Sequence, residues 1–212
     1  MSMRTAIRLS GVAMAALVIL SPVLSPALRA QDDPLSHLGS GARVTIERVL
    51  DSARADGLPR GPLIDKVAEG VLKGAADDRI VRAVQSLWRD LAVARLALGA
   101  DTDPAVLGAA ASAVHAGVSS TELRRMANPP PPGVRPEPAS LATALVTLVD
   151  LVAKRVPVTL ATSSIQELMD RHAGERELSA LRNDVDRDIL AGQTPEASLA
   201  ERVRAQTRTN PP

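Results

Sequence analysis

Few residues of this 212-residue chain could carry chemistry: it has three histidines, no cysteine and 24 acidic side chains. The densest polar cluster is Asp170-Arg-His-Ala-Gly-Glu175-Arg-Glu177. Asp170, His172 and Glu175 could converge on a metal there, or His172 could exchange a proton beside the carboxylates, if the segment folded back on itself. Nothing in the spacing enforces that geometry, and the interleaved Arg171 and Arg176 read as a solvated turn between helices. Asp184 and Asp188 stand four apart in Asn183-Asp-Val-Asp-Arg-Asp188 and share one helix face. An active carboxylate pair needs a cleft and a raised pKa, whereas this face reads as exposed. His115 falls in the last turn of a helix, where an imidazolium complements the dipole, and His37 falls in a polar lead-in. The G-x-S-x-G, H-E-x-x-H, Walker and G-x-G-x-x-G signatures are absent. No catalytic, cofactor-binding or metal-binding residue is assigned on these grounds.

The residue counts close off further classes. Phe and Tyr are absent and Trp88 is the one aromatic residue, so neither a platform for stacking bases nor a cage for a quaternary ammonium can form. Without Cys there are no disulfides, thiolate metal sites or Cys nucleophile. Lys+Arg 25 against Asp+Glu 24 leaves a net charge of +1, which argues against a strongly basic nucleic-acid binder. Hydrophobic residues at 45% and charged residues at 23% fit a folded protein. Ala, Leu and Val supply most of the apolar class, which leans the chain toward helix. Trp88, beside Leu87 on the longest expected helix, is the largest side chain available to fill the core.

The first thirty residues read as an address. Arg4 and Arg8 precede the uncharged apolar run Leu9–Leu20, Pro22 and Pro26 interrupt it, and small residues lead to Ala30. That is the layout of a secretory signal peptide, cut near Ala30, with a cut after Ala27 as the competitor. The alternative is an uncleaved inner-membrane anchor over residues 9–28, which the two prolines disfavour. Cleavage removes Arg4, Arg8 and Arg29 and no acid, so the net charge of +1 becomes −2 in the mature chain.

After a flexible lead-in over 31–40, the apolar spacing is helical from 41 to 127. Ile46, Val49, Leu50 and Ala53 share one face, then Leu63, Val67 and Val71, then Ile80, Val84, Leu87, Trp88, Leu91 and Leu98. Asp103-Pro104 caps a helix through Leu107, Ala111 and Val114, and Ser119-Ser-Thr-Glu122 is a capping box. Gly70 and Gly74 stand four apart and permit close approach of a neighbouring helix. The run Asn128–Pro138 predicts an extended linker, residues 139–205 a second helical half, and residues 206–212 a disordered tail. No stretch alternates with period two.

One junction recurs. At Gly57, Gly74, Gly117, Arg155 and Gly192 a helix stops, a few residues intervene, a capping residue or proline follows, and the next apolar position begins another helix. Arg155 departs from the glycine rule. The fold predicted is all-α: antiparallel helical hairpins forming a bundle or a short irregular α-solenoid, in two halves joined by the proline-rich linker. The expected function is that of an exported, periplasmic or secreted, non-catalytic scaffold or interaction module. Its partner would be an unknown envelope protein or peptide, with no nucleic acid and no cofactor. The alternatives are an enzyme using the Asp170/His172/Glu175 region and a scaffold tethered by an uncleaved N-terminus.

Overall fold

Each run of apolar residues spaced three and four apart folds as a helix. The computed structural model describes residues 33–129 and 135–209, which contain a 3-10 turn at Pro34–His37, nine α-helices and no strand. The helices are α1 (Ser40–Ala55), α2 (Gly61–Leu72), α3 (Asp77–Leu98), α4 (Pro104–His115), α5 (Ser120–Ala127), α6 (Pro138–Ala153), α7 (Val158–Asp170), α8 (Glu175–Leu190) and α9 (Pro195–Thr209). The protein is all-α. Residues 1–32, which include the segment expected to be a signal peptide, the middle of the proline run and residues 210–212 lie outside the described residues. Among those described, no helix is long and apolar enough to cross a membrane.

The starts of the helices follow their sequence signals. The Asp103 carboxylate accepts the amides of Ala105 at 2.8 Å and Val106 at 3.3 Å. Ser119 Oγ accepts the Glu122 amide, and Glu122 Oε2 accepts the Ser119 amide at 2.7 Å, which closes the capping box. Thr194 Oγ1 accepts the Ala197 amide at the start of α9.

The ends share one geometry. Gly57, Gly74, Gly117 and Gly192 have positive φ, and so do Arg155 (72°) and His172 (59°). After each, the next amide donates to the carbonyl five residues back: Leu58 to Ala53, Ala75 to Gly70, Val118 to Ala113, Val156 to Leu151, Ala173 to Leu168 and Gln193 to Asp188. This is the Schellman turn, which satisfies carbonyls the helix end leaves orphaned. Leu58, Val118 and Val156 are buried just past the turn and pin it to the core. Arg155 therefore makes the turn of the glycine junctions, and His172 supplies a sixth. Neither side chain gains from the left-handed conformation, so Arg155→Gly and His172→Gly should each raise stability by about 0.5–1 kcal/mol in urea titrations.

The principal packing contacts join each element only to those one or two places along the chain. The odd helices follow one another in a row, α1 on α3, α3 on α5, α5 on α7 and α7 on α9, while α4, α6 and α8 form a second row. Cross-contacts of α3 with α4, α6 with α7 and α8 with α9 bind the rows together. The result is a two-layer helical array. Its layers run through the proline-rich segment without a break, because α4 packs on α6 and α5 meets α7. Residues 33–212 cluster as a single unit, and one continuous core runs from Leu35 to Val203.

Small side chains let the layers approach closely. α4 buries Ala110, Ala111 and Ala113 beside Leu107. Gly70 of α2 lies against Ile80 of α3, where an added Cβ would stand 2.7 Å from Ile80 Cγ1. Ile80 is buried and β-branched, so it cannot swing aside. For Gly70→Ala the clash, about 1–3 kcal/mol, should outweigh the roughly 1 kcal/mol gained in helix propensity, and the urea midpoint should fall. Trp88 is half-buried against the core, with its indole N–H unpartnered among the described residues.

Three stretches differ from expectation. The lead-in 31–40 contains the 3-10 turn, whose start Asp33 caps by accepting the Leu35 amide, and Leu35 and Leu38 are buried. The helix of the last segment continues to Thr209, beyond the expected end at 205. The face bearing Asp184 and Asp188 is not exposed: Asp188 is only 8% accessible.

Candidate functional site

Helix α5 spans eight residues before Asn128-Pro129 ends it, whereas its neighbour α7 spans thirteen. Between them lies a groove of about 490 Å³. Glu122 and Arg125 line it from α5; Thr159, Thr162, Ser163, Gln166, Glu167 and Asp170 line it from α7, with Arg171 at the end. The α7 residues recur at helical spacing, which places them on one face.

Most charges in the groove are already matched. Asp170 accepts from Gln166 Nε2 at 2.6 Å and from Arg125 Nη2 at 3.2 Å. Arg171 donates to the Thr207 carbonyl and lies 3.7 Å from Glu167. Two groups are not matched. Thr162 is 5% exposed, and its hydroxyl has no hydrogen-bond partner among the described residues. Glu122 bonds to the Ser119 amide and forms no ion pair among the described residues. A buried hydroxyl without a partner costs about 1–3 kcal/mol; Thr147 Oγ1 and Trp88 Nε1, away from the groove, are likewise unpartnered among the described residues.

The residues singled out in the sequence are placed elsewhere or otherwise employed. His172 is exposed at the left-handed end of α7, and Glu175 begins α8, exposed. Asp170 turns to Arg125 across the groove and does not join them. Among the described residues, no group of three or more His, Asp or Glu is arranged to hold a metal ion. His37 is exposed in the 3-10 turn. Asp188 accepts Ser198 Oγ at 2.7 Å, Arg202 Nε at 2.8 Å and Arg202 Nη2 at 2.6 Å, an internal clasp between α8 and α9. The Arg202 guanidinium and the Ser198 hydroxyl hold its carboxyl at about 2, the opposite direction from that of a general acid.

One pairing had no sequence signal. His115 Nδ1 lies 3.0 Å from Asp90 Oδ2 of α3, at the edge of a pocket of about 310 Å³ that Ser86, Ser112 and Lys66 also line. A carboxylate at Nδ1 orients an imidazole, leaving Nε2 outward. No hydroxyl is directed to that nitrogen, since Ser112 Oγ donates to the Gly108 carbonyl. Periodicity could not reveal this pair, because its members sit on different helices. The α5–α7 groove could have been suspected only from Thr159, Thr162, Ser163 and Gln166, a polar stripe where a helix facing the core would carry apolar residues. Comparison with family models, curated proteins and solved structures finds no match for this chain.

Proposed function

We propose that this chain is an exported helical interaction module that holds a segment of a partner protein in the groove between α5 and α7. The observation that carries the proposal is the groove itself: an open cleft of about 490 Å³ on one layer of a helical array. Helical arrays offer such inter-helix surfaces to peptides and partner helices. Export rests on the N-terminal thirty residues. N-terminal sequencing of protein from the envelope fraction is expected to begin at Gln31; a chain beginning at the initiator end would identify the tethered form.

The interaction reading is tested by placing a photo-crosslinking residue at Ser163, exposed in the groove, and at Arg48, exposed on α1. Crosslinking in cells followed by mass spectrometry should recover a reproducible partner from Ser163 and not from Arg48. Equal recovery from both sites, or none from Ser163, would remove the groove as the docking surface.

A further inference from the structure

Two neighbouring helices are set apart by the charge they lack. α4 carries no Asp, Glu, Lys or Arg, and His115 at its end pairs with Asp90 at 3.0 Å. Asp150 is the one charged residue of α6, and it accepts from Arg182 of α8 at 3.3 Å. Every other helix carries more charge. A helix without a polar face is normally enclosed, yet these two belong to an outer layer with one side open to solvent. Ala105, Gly108 and Ser112 recur at helical spacing on the open side of α4, as do Ala142, Val146, Val149 and Ala153 on that of α6. Nothing lies within 4 Å of a Cβ added at Gly108, and Val146 is 40% exposed. We infer that this uncharged face is where the chain pairs weakly with a second copy of itself.

The face matches itself. A two-fold contact sets the same patch of each copy against the other, and here that brings no like charges together. Ser112 Oγ donates to the Gly108 carbonyl, so that hydroxyl requires no partner. The patch also has a projection and a hollow. Val146 stands one helical turn from Val149, which with Ala83, Leu87 and Ala111 walls the cavity of about 310 Å³ beside Ser112. A two-fold contact lets the Val146 of each copy enter the hollow of the other. A charged peptide finds no counter-charge on this face. A bilayer surface is met by helices that pair Lys and Arg with Trp, Phe or Leu, whereas Val146 is the bulkiest exposed apolar residue of these two. The face measures roughly 16 Å along α6 and roughly 20 Å across both helices, so pairing buries on the order of 600 Å² in all. That is below the roughly 1,200 Å² of a standard interface, and it has no aromatic anchor, so the pair is weak and forms only at high concentration.

The test is sedimentation equilibrium of the protein from about 10 μM to about 1 mM, with amide shifts of the isotopically labelled protein followed over the same dilution. Dimer should appear toward the upper end, and the amides that move on dilution should be those of α4 and α6. Gly108→Glu should weaken the pair at least about tenfold, because the two-fold axis brings the new charge in twice. The site has open space and the change removes a glycine from a helix, so the fold survives it. Val146→Glu should weaken the pair to a similar degree. Leu96→Glu, at a position 84% exposed on α3 in the other layer, should leave it unchanged.

A monomer across the whole range would overturn the inference. Self-association that Gly108→Glu and Val146→Glu leave untouched would place the contact on another surface and overturn it as well. A monomer that binds phosphatidylcholine vesicles through α4 and α6 would make the face a membrane contact and not a dimer interface. None of these results bears on the α5–α7 groove, which lies in the other layer.

Discussion

Truncating Leu145 to Ala is expected to lower stability by about 3–4 kcal/mol, far more than any change at the surface of the array should. Leu145 has no accessible surface and sits on α6, which packs on α4, α7 and α8. Its removal leaves a cavity that helices held on several sides cannot collapse to fill. Against a typical total of about 5–15 kcal/mol, that is a large fraction. Urea unfolding followed by Trp88 fluorescence and by far-ultraviolet circular dichroism should give one coincident transition for the wild type and the variant, with an unchanged slope. The coincidence matters because Trp88 lies on α3 and Leu145 on α6, on opposite sides of the proline-rich segment. Two independent halves would separate the probes: the Trp88 signal would keep its midpoint while half the helical signal moved. Leu190→Ala, at a position 88% exposed, should shift the midpoint by no more than about 0.5 kcal/mol.

The second large effect is expected from Asp188→Asn. The carboxylate accepts three hydrogen bonds from Ser198 and Arg202, and Ser198 is fully buried. The amide keeps the shape but loses the charge that Arg202 faces, so α9 should loosen from α8 and Tm should fall by several degrees. The pH dependence gives a sharper check. The folded protein holds Asp188 at about 2 against an ordinary value of 3.8, so the stability contributed by the clasp is complete above about pH 4 and is lost as pH falls through 2. Glu69 is also held at about 2, by Lys66 and Lys73, but at an exposed site that salt screens. At about 0.5 M salt the wild type should therefore lose more stability than Asp188→Asn between pH 4 and pH 2. Parallel pH curves would mean that the clasp contributes nothing to folding.

What the amino acids reveal locally, they reveal well. The caps at Asp103 and Ser119 form as their spacing predicts, and Ile46, Leu63, Val84 and Leu107 are buried as their periodicity requires. All five junctions read from the sequence are Schellman turns. His172 escaped that reading because an imidazole in a polar cluster suggests chemistry, and only the backbone angle shows it at a helix end. Asp188 escaped because its partner, Arg202, sits on the next helix. Reading along one helix sees Asp184 four residues away and cannot see the guanidinium across the layer. The same blindness hid Asp90 and His115. The groove was hidden for a related reason: it lies between α5 and α7, neighbours in space that are not neighbours in the chain.

The neighbour-only packing of the two layers also bears on how the chain reaches its fold. Each helix finds its main partners one or two places away, so little loop entropy must be lost before a contact forms. Proteins dominated by such local contacts fold in microseconds to milliseconds. No early helix waits for the last one to arrive. Structure can begin at any hairpin and spread in both directions, each turn handing a docked helix to the next.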